Sequence, residues 1–294
     1  MARKPNILFG IDDYGMTPLT CGRIEQCLQE GAANKVSVLP NTKMEDISHR
    51  LRRLKSASVC VHINLVEGAS VSDPRQLDLL VDGDGFFAKS FFGLLLTSLS
   101  GKRSRFRDQL YTEIRAQITR VISMLPPDAP VMLDSHQHTH MIPLIFDVLM
   151  QVVRDLQLDV QYIRIPAEPC TPYLAVPAFY PQYLSVNLIK QWVLKFCHLF
   201  NAGKLRASGI PTALFCGILF SGDMNYDRVS RILPGYLRLA QRKGCDVELL
   251  FHSGYTEPGE PLFDDRKVSF HGFYYSQGRK NEFDALMKLK TYRD

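Results

Sequence analysis

Several absences narrow the field. No apolar stretch approaches the roughly 18 residues of a membrane-spanning helix, so no span is expected. The opening Met1-Ala2-Arg3-Lys4-Pro5 leads into an apolar run too short for a signal-peptide core. No two of the seven cysteines (21, 27, 60, 170, 197, 216 and 245) stand in C-x-x-C spacing, and their number is odd. Several lie in apolar runs such as Val59-Cys60-Val61 and Phe215-Cys216-Gly217. They read as reduced, buried packing residues of a cytoplasmic protein, not as a disulfide framework. Strong charge of one sign is also missing. A net charge of +5 over 294 residues is too mild for a dedicated nucleic-acid binder, and the one basic run lacks an interleaved aromatic platform. There is no repeat, linker or low-complexity tract, and 46% hydrophobic with 22% charged residues excludes disorder.

What is present fits one α/β domain spanning 1–294, long enough to bury about three-quarters of its unfolded surface. Short apolar runs alternate with amphipathic segments. Strands are expected at 6–11, 35–40, 58–65, 131–134, 160–166, 213–220 and 247–251. Helices are expected at 17–32, 46–54, 108–124, 143–156, 184–200 and 226–243. This alternation predicts a parallel sheet with covering helices. The apolar stretch 91–99 reads as a lid or packing helix. The basic run Lys102-Arg103-Ser104-Arg105-Phe106-Arg107 reads as a solvated loop or helix end. Segment 170–212 reads as an insertion that shapes the substrate pocket.

The polar residues follow one rule. Asp12, Asp13, His136, Arg164 and His252 stand at or just past the C-terminal ends of expected strands, and His62 lies within one. In (β/α) barrels that edge collects the active site. Adjacent aspartates in extended backbone point apart, but a turn brings both to one cavity; alone they read as a turn or N-cap. His136-x-His138-x-His140 places three imidazoles in five residues, a set suited to borderline divalent cations or to a solvated loop. His62 alone reads as a core histidine.

Together the segments resemble a family, the YdjC/ChbG-like carbohydrate deacetylases. Ile11-Asp12-Asp13-Tyr14-Gly15 is similar to its A-D-D-F-G signature. Val61-His62-Ile63-Asn64-Leu65-Val66-Glu67-Gly68 is similar to its G-x-H-x-N-L-x-x-G element. Leu133 to Met141 resembles its D-S-H-x-H-x-H-M element, Tyr162 to Pro166 its R-x-P strand, and Glu248 to Tyr255 its E-L-x-x-H-P-G-Y segment. The five occur in family order over residues 6 to about 255.

The resemblance implies an irregular (β/α) barrel and one divalent metal ion, zinc or magnesium, held by Asp13, His62 and His136. Asp12 matches the catalytic base and His252 the general acid. Arg164, from its position, orients or charge-balances an active-site carboxylate. Asp134 orients a nearby histidine, and His138 and His140 divide between supporting a ligand or substrate and packing. Ser253 stands where the family usually has Pro, which predicts a less rigid loop around His252. The expected activity is metal-dependent hydrolysis of the acetyl group from an N-acetylated sugar. A lipid-linked sugar, with peripheral membrane contact, is a candidate because apolar 91–99 adjoins basic 102–107. The alternatives are hydrolysis of another bond on the same barrel, or a catalytically silent sugar-binding protein. Whether the chain forms a homo-oligomer is left open.

Overall fold

A computed structural model describes residues 3–54 and 57–292, so the first two residues of the opening segment lie outside the described residues. Seven strands form one sheet: β1 (Ile7–Tyr14), β2 (Lys35–Val38), β3 (Ser58–Ile63), β4 (Val131–Ser135), β5 (Val160–Ile163), β6 (Ala213–Cys216) and β7 (Asp246–Phe251). All neighbours are parallel, in the order β5-β4-β3-β2-β1-β7-β6. Read around a circle, that is chain order with one opening between β5 and β6. The sheet is therefore a curled half-barrel, as expected. At the opening, Ile163 N–H donates to Pro211 O at 3.1 Å.

Parallel strands need crossovers. The helices are α1 (Pro18–Gln29), α2 (Ile47–Arg53), α3 (Phe91–Ser98), α4 (Arg103–Met124), α5 (Pro143–Asp155), α6 (Thr171–Leu174), α7 (Ser185–Ser208), α8 (Tyr226–Lys243), α9 (Val268–Tyr274) and α10 (Gln277–Leu289). Local chemistry sets their ends. Thr17 and Thr20 cap the start of α1 reciprocally, with Pro18 in its first turn. Asn225 caps α8, which ends at Gly244 in the left-handed region (φ 65°). One apolar cluster gathers α4 and α5 over β3 to β5; another gathers α1, α8 and α10 over β1, β2 and β7.

Two boundaries differ from expectation. Of the two readings of the basic run the helix end holds, but the helix begins five residues earlier than expected: α4 starts at Arg103 and takes the run into its first turn. The helix dipole disfavours cations there, and packing of Phe106, Leu110 and Ile114 into the core sets the helix start instead. Helix α7 runs on to Ser208, eight residues beyond its expected end, until Gly209 (φ 68°) terminates it.

The barrel interior is unusual. At one level Cys60, Met132, Tyr162 and Ala213, with Leu8 packed against them, make a small apolar plug. Two residues further along the strands, the period-2 rule turns inward His62 (β3), Asp134 (β4) and Arg164 after β5, beside Lys35 (β2) and Glu248 (β7). Charges take the place of the branched aliphatics that usually fill this level.

Candidate active site

The site begins with a break in β1. Its register with β2 shifts between Ile11 and Tyr14, and Asp13 adopts φ 71°. A left-handed residue other than glycine costs about 1 kcal/mol or more. The gain is that Asp12 and Asp13 face the same centre, which a regular strand forbids. Asp12 accepts two hydrogen bonds from Arg164, at 2.7 Å (Nη1 to Oδ2) and 2.8 Å (Nη2 to Oδ1). Asp13 Oδ2 accepts from Arg279 Nη2 of α10. Burial pushes both carboxyls up. Arg164 outweighs it at Asp12, and Arg279 with His136 outweighs it further at Asp13, so both lie below the usual carboxylate range.

Each of two histidines is backed by a carboxylate. His62 Nδ1 lies 2.6 Å from Asp134 Oδ1, its register neighbour across β3 and β4. Its Nε2 then points forward, 3.7 Å from both Asp12 Oδ2 and Asp13 Oδ1. His136 Nδ1 is 3.0 Å from Asp13 Oδ1, and its Nε2 is 3.0 Å from Glu67 Oε1. Burial pulls the His136 imidazole down, but Asp13 and Glu67 overcome this and lift it to about 10. A proton there stands where a cation would otherwise balance the carboxylates.

Asp13, His62 and His136 can hold a metal ion: their ligand atoms all lie within 4.8 Å of one another. Two observations support the fit. His62 Nε2 is buried without a hydrogen-bond partner among the described residues, and Asp13 Oδ1 has only the His136 ring nitrogen at 3.0 Å beside it, a costly state for the imidazole unless a ligand satisfies it. The charges also fall short. With His136 neutral, as a metal ligand is, Asp12, Asp13, Glu67, Asp134 and Glu248 are paired with Lys35, Arg164 and Arg279, all at most 2% exposed. The deficit of two positive charges is that of one divalent cation.

Lys35 and Arg164 form the floor. Lys35 Nζ lies 2.8 Å from Asp134 and 3.1 Å from Glu248. Arg164 Nη2 lies 3.0 Å from Asp134 and 2.8 Å from Glu248. Gly10 leaves room for this layer, since a Cβ there would stand 3.2 Å from Glu248 Oε1.

A cavity of about 530 Å³ opens above the centre. Asp12, His62, His136, His138 and His252 line it, while Asp13, Asp134, His140 and Arg164 stand behind. Segment 170–212 contributes Leu184, Val186, Ile189 and Lys190 to its wall, and α3 contributes Phe91 and Phe92. The second described cavity, about 740 Å³, is lined by Asp159, Val160 and Pro211 at the starts of β5 and β6, away from these groups.

The histidine run curls, with Gln137 and His138 at φ 50° and 58°. His138 packs edge-on to Phe215 (5.6 Å), its Nδ1 unpartnered, and burial holds it well below the usual imidazole range, hence neutral. His140 is fully engaged: Nδ1 meets Ser135 Oγ at 2.5 Å and Nε2 meets the Arg164 carbonyl at 2.8 Å. His252 sits at the cavity edge with its ring against Phe273 and Nδ1 3.5 Å from Glu282. Its loop is well tied despite Ser253. Arg279 Nη1 donates to Gly254 O at 3.0 Å, His252 N–H donates to Glu282, and Ser253 is fully buried.

A family model described as YdjC-like protein matches residues 6–293. The chain belongs to the YdjC-like family. Among its relatives, a carbohydrate deacetylase of Danio rerio is 31% identical over 159 residues, covering 54% of this chain and 49% of that one. The chain thus spans about half the length of such vertebrate relatives. A carbohydrate deacetylase of Clostridium beijerinckii is 22% identical over 86% of this chain and 87% of its own. A chitooligosaccharide deacetylase of Proteus mirabilis is 22% identical over 55% of this chain and 60% of its own. In fold, the chain resembles a protein of Enterococcus faecalis V583 described as a cellobiose-phosphate cleavage protein, with TM-score 0.62, 16% identity and coverage of 97% and 91%.

In this member of the YdjC-like family the structure brings every expected site residue to one end of the half-barrel. It adds five to which sequence reasoning gave no role: Lys35, Glu67, Glu248, Arg279 and Tyr274, whose hydroxyl donates to Glu67. Lys35 and Glu248 carried a signal, each a lone charge in an apolar strand. Arg279 carried none, for it lies on a helix whose sequence alternates charges.

Proposed function

We propose that the chain is a divalent-metal-dependent deacetylase that hydrolyses the N-acetyl amide of a sugar. The carrying observation is the convergence of Asp13 Oδ1, His136 Nδ1 and the unpartnered His62 Nε2 beneath a cavity that also presents Asp12 and His252. The deacetylase names of the relatives support the substrate class.

In this reading Asp13, His62 and His136 hold the cation. Two imidazoles and one carboxylate favour zinc or another transition metal over magnesium. When bound, the cation would polarise the acetyl carbonyl and acidify a water. Glu67 and Asp134 fix the imidazole orientations. Asp12 is held ionised and immobile by Arg164, and its place on the cavity wall lets it accept the proton of the attacking water. His252, on the cavity edge, gives a proton to the departing sugar nitrogen, which is otherwise a poor leaving group. We take the chain as one domain in which 170–212 shapes the pocket. Seven free cysteines support a reducing, cytoplasmic setting.

The test is acetate release from free, oligomeric and lipid-linked N-acetylglucosamine, with protein stripped by chelator and reloaded with zinc or magnesium. Release that disappears on stripping and returns on reloading is expected. No release from any of these by the reloaded protein would overturn the activity; release by the stripped protein would overturn the metal requirement.

A further inference from the structure

Helix α7 is built inside out. A surface helix normally buries an apolar stripe and exposes polar residues. Here the buried stripe includes Asn187, Gln191 and Asn201, each donating to a backbone carbonyl: Leu219 and Ser221, Glu168, and Met141 respectively. The outward face carries Val186, Ile189, Trp192, Phe196, Leu199 and Phe200, which are 55–74% exposed. Helix α3 repeats the pattern. Phe92, Leu96 and the following Leu99, at i, i+4 and i+7, are 53–72% exposed. Phe92 with Val186 and Ile189 also lines the cavity over Asp12 and His62. The apolar surface therefore runs from the cavity wall onto the outside of the molecule.

The charges these two segments carry are of one sign. Residues 185–208 and 85–107 contain no Asp or Glu. Of their cations outside the cavity wall, Lys89, Lys102 and Arg103 enter no ion pair among the described residues, nor does Lys195, whose ammonium lies 2.8 Å from Cys170 Sγ. We propose that this face lies on an anionic lipid surface and that the N-acetylated sugar entering the cavity is carried on a lipid. The claim rests on the deacetylase reading for its chemistry and names its substrate class.

Charge complementarity selects the occupant. Apolar side chains on segments whose charges are all Lys and Arg match the acyl boundary and headgroups of an anionic bilayer. A second copy would set cations against cations across a two-fold axis. A soluble oligosaccharide leaves Phe196, Leu199 and Phe200 without purpose, for they lie beyond the cavity. Trp192, with the Lys195 ammonium 5.8 Å from its ring centre, is a pairing suited to the headgroup level. Among the described residues no helix is long and apolar enough to cross a membrane, so α7 would lie in the surface plane.

Trp192 is the chain's single tryptophan, a built-in probe. Phosphatidylcholine vesicles with and without phosphatidylglycerol are added to the full chain, with tryptophan emission and flotation as readouts. A blue shift and flotation dependent on phosphatidylglycerol are expected. Binding should weaken at least tenfold in Phe196→Ser/Leu199→Ser and, separately, in Lys102→Glu/Arg103→Glu. Acetate release from N-acetylglucosaminyl dialkylglycerol in those vesicles should exceed release from N-acetylchitobiose at least tenfold. The serine variant should lose that advantage and keep its rate on the soluble sugar. Absence of flotation, equal rates on the two substrates, or a dimer with lipid-independent blue emission would each overturn the proposal. Flotation without acetate release from either substrate would overturn the deacetylase reading and with it the lipid-linked substrate. Acetate release from chitobiose without flotation would overturn the lipid claim alone.

Discussion

Asp134 Oδ1 stands 2.6 Å from His62 Nδ1, while its other oxygen accepts from Lys35 and Ser37 at 2.8 and 2.6 Å. The carboxylate thus fixes which imidazole nitrogen carries the proton and leaves Nε2 free to ligate. Asp134→Asn should weaken metal affinity about 10–100-fold, read by competition with a chromophoric chelator. An unchanged affinity would show that His62 is not oriented through Asp134.

Asp12 and the three proposed ligands should separate cleanly. Asp12→Asn should keep the metal and lose roughly 10²–10⁴-fold in kcat. His62→Ala and His136→Ala should lose the metal itself. Metal content by elemental analysis alongside kcat distinguishes the two classes, and near-normal turnover by Asp12→Asn would remove Asp12 as the base.

The acid role of His252 has a leaving-group signature. His252→Gln should lower turnover of an N-acetyl sugar by about 10²-fold or more. It should barely affect hydrolysis of 4-nitrophenyl acetate, whose leaving group departs without a proton. Equal losses on both substrates would point to a binding role.

The buried floor predicts a stability window. Burial pushes the Glu248 carboxyl up, but Arg164 and Lys35 bring it below the usual range. Its contribution is therefore present above about pH 4.3, the unfolded value, and is lost as pH falls through the folded one. Burial and Arg164 push Lys35 down, yet Asp134 and Glu248 hold it above the usual lysine value. Its contribution is present below about pH 10.4 and is lost as pH rises through the folded value. Urea titrations across pH should show a plateau between these limits. Lys35→Met, which removes one of the two cations paired with Asp134 and Glu248, should cost about 3–5 kcal/mol. A loss below 1 kcal/mol would mean that the floor is not a cooperative charge network.

Much of this was readable in the chain. Strand alternation placed Asp12, His136 and His252 at one edge, and the motif order rescued His62 from its appearance as a core residue. The left-handed turn at Asp13 was invisible, because nothing in Ile11-Asp12-Asp13-Tyr14 specifies which residue takes positive φ. Arg279 was equally hidden. Its partner lies 266 residues away, and no local pattern records a pairing made only by closing β7 and α10 onto β1. Helix α7 was legible as a helix but its exposed apolar face was not, since buried Asn187 and Gln191 reverse the usual rule.

The charge deficit in the half-barrel has an evolutionary consequence. Asp12, Asp13, Glu67, Asp134 and Glu248 outnumber their buried cations by two. On the metal-dependent reading, a descendant that gave up the cation could not simply lose His136 and drift. It would keep an unneutralised interior until it also exchanged two of these acids for neutral residues or recruited new bases. Paired loss of acids at these positions is therefore the mark by which a silenced copy of this protein would be recognised in a genome.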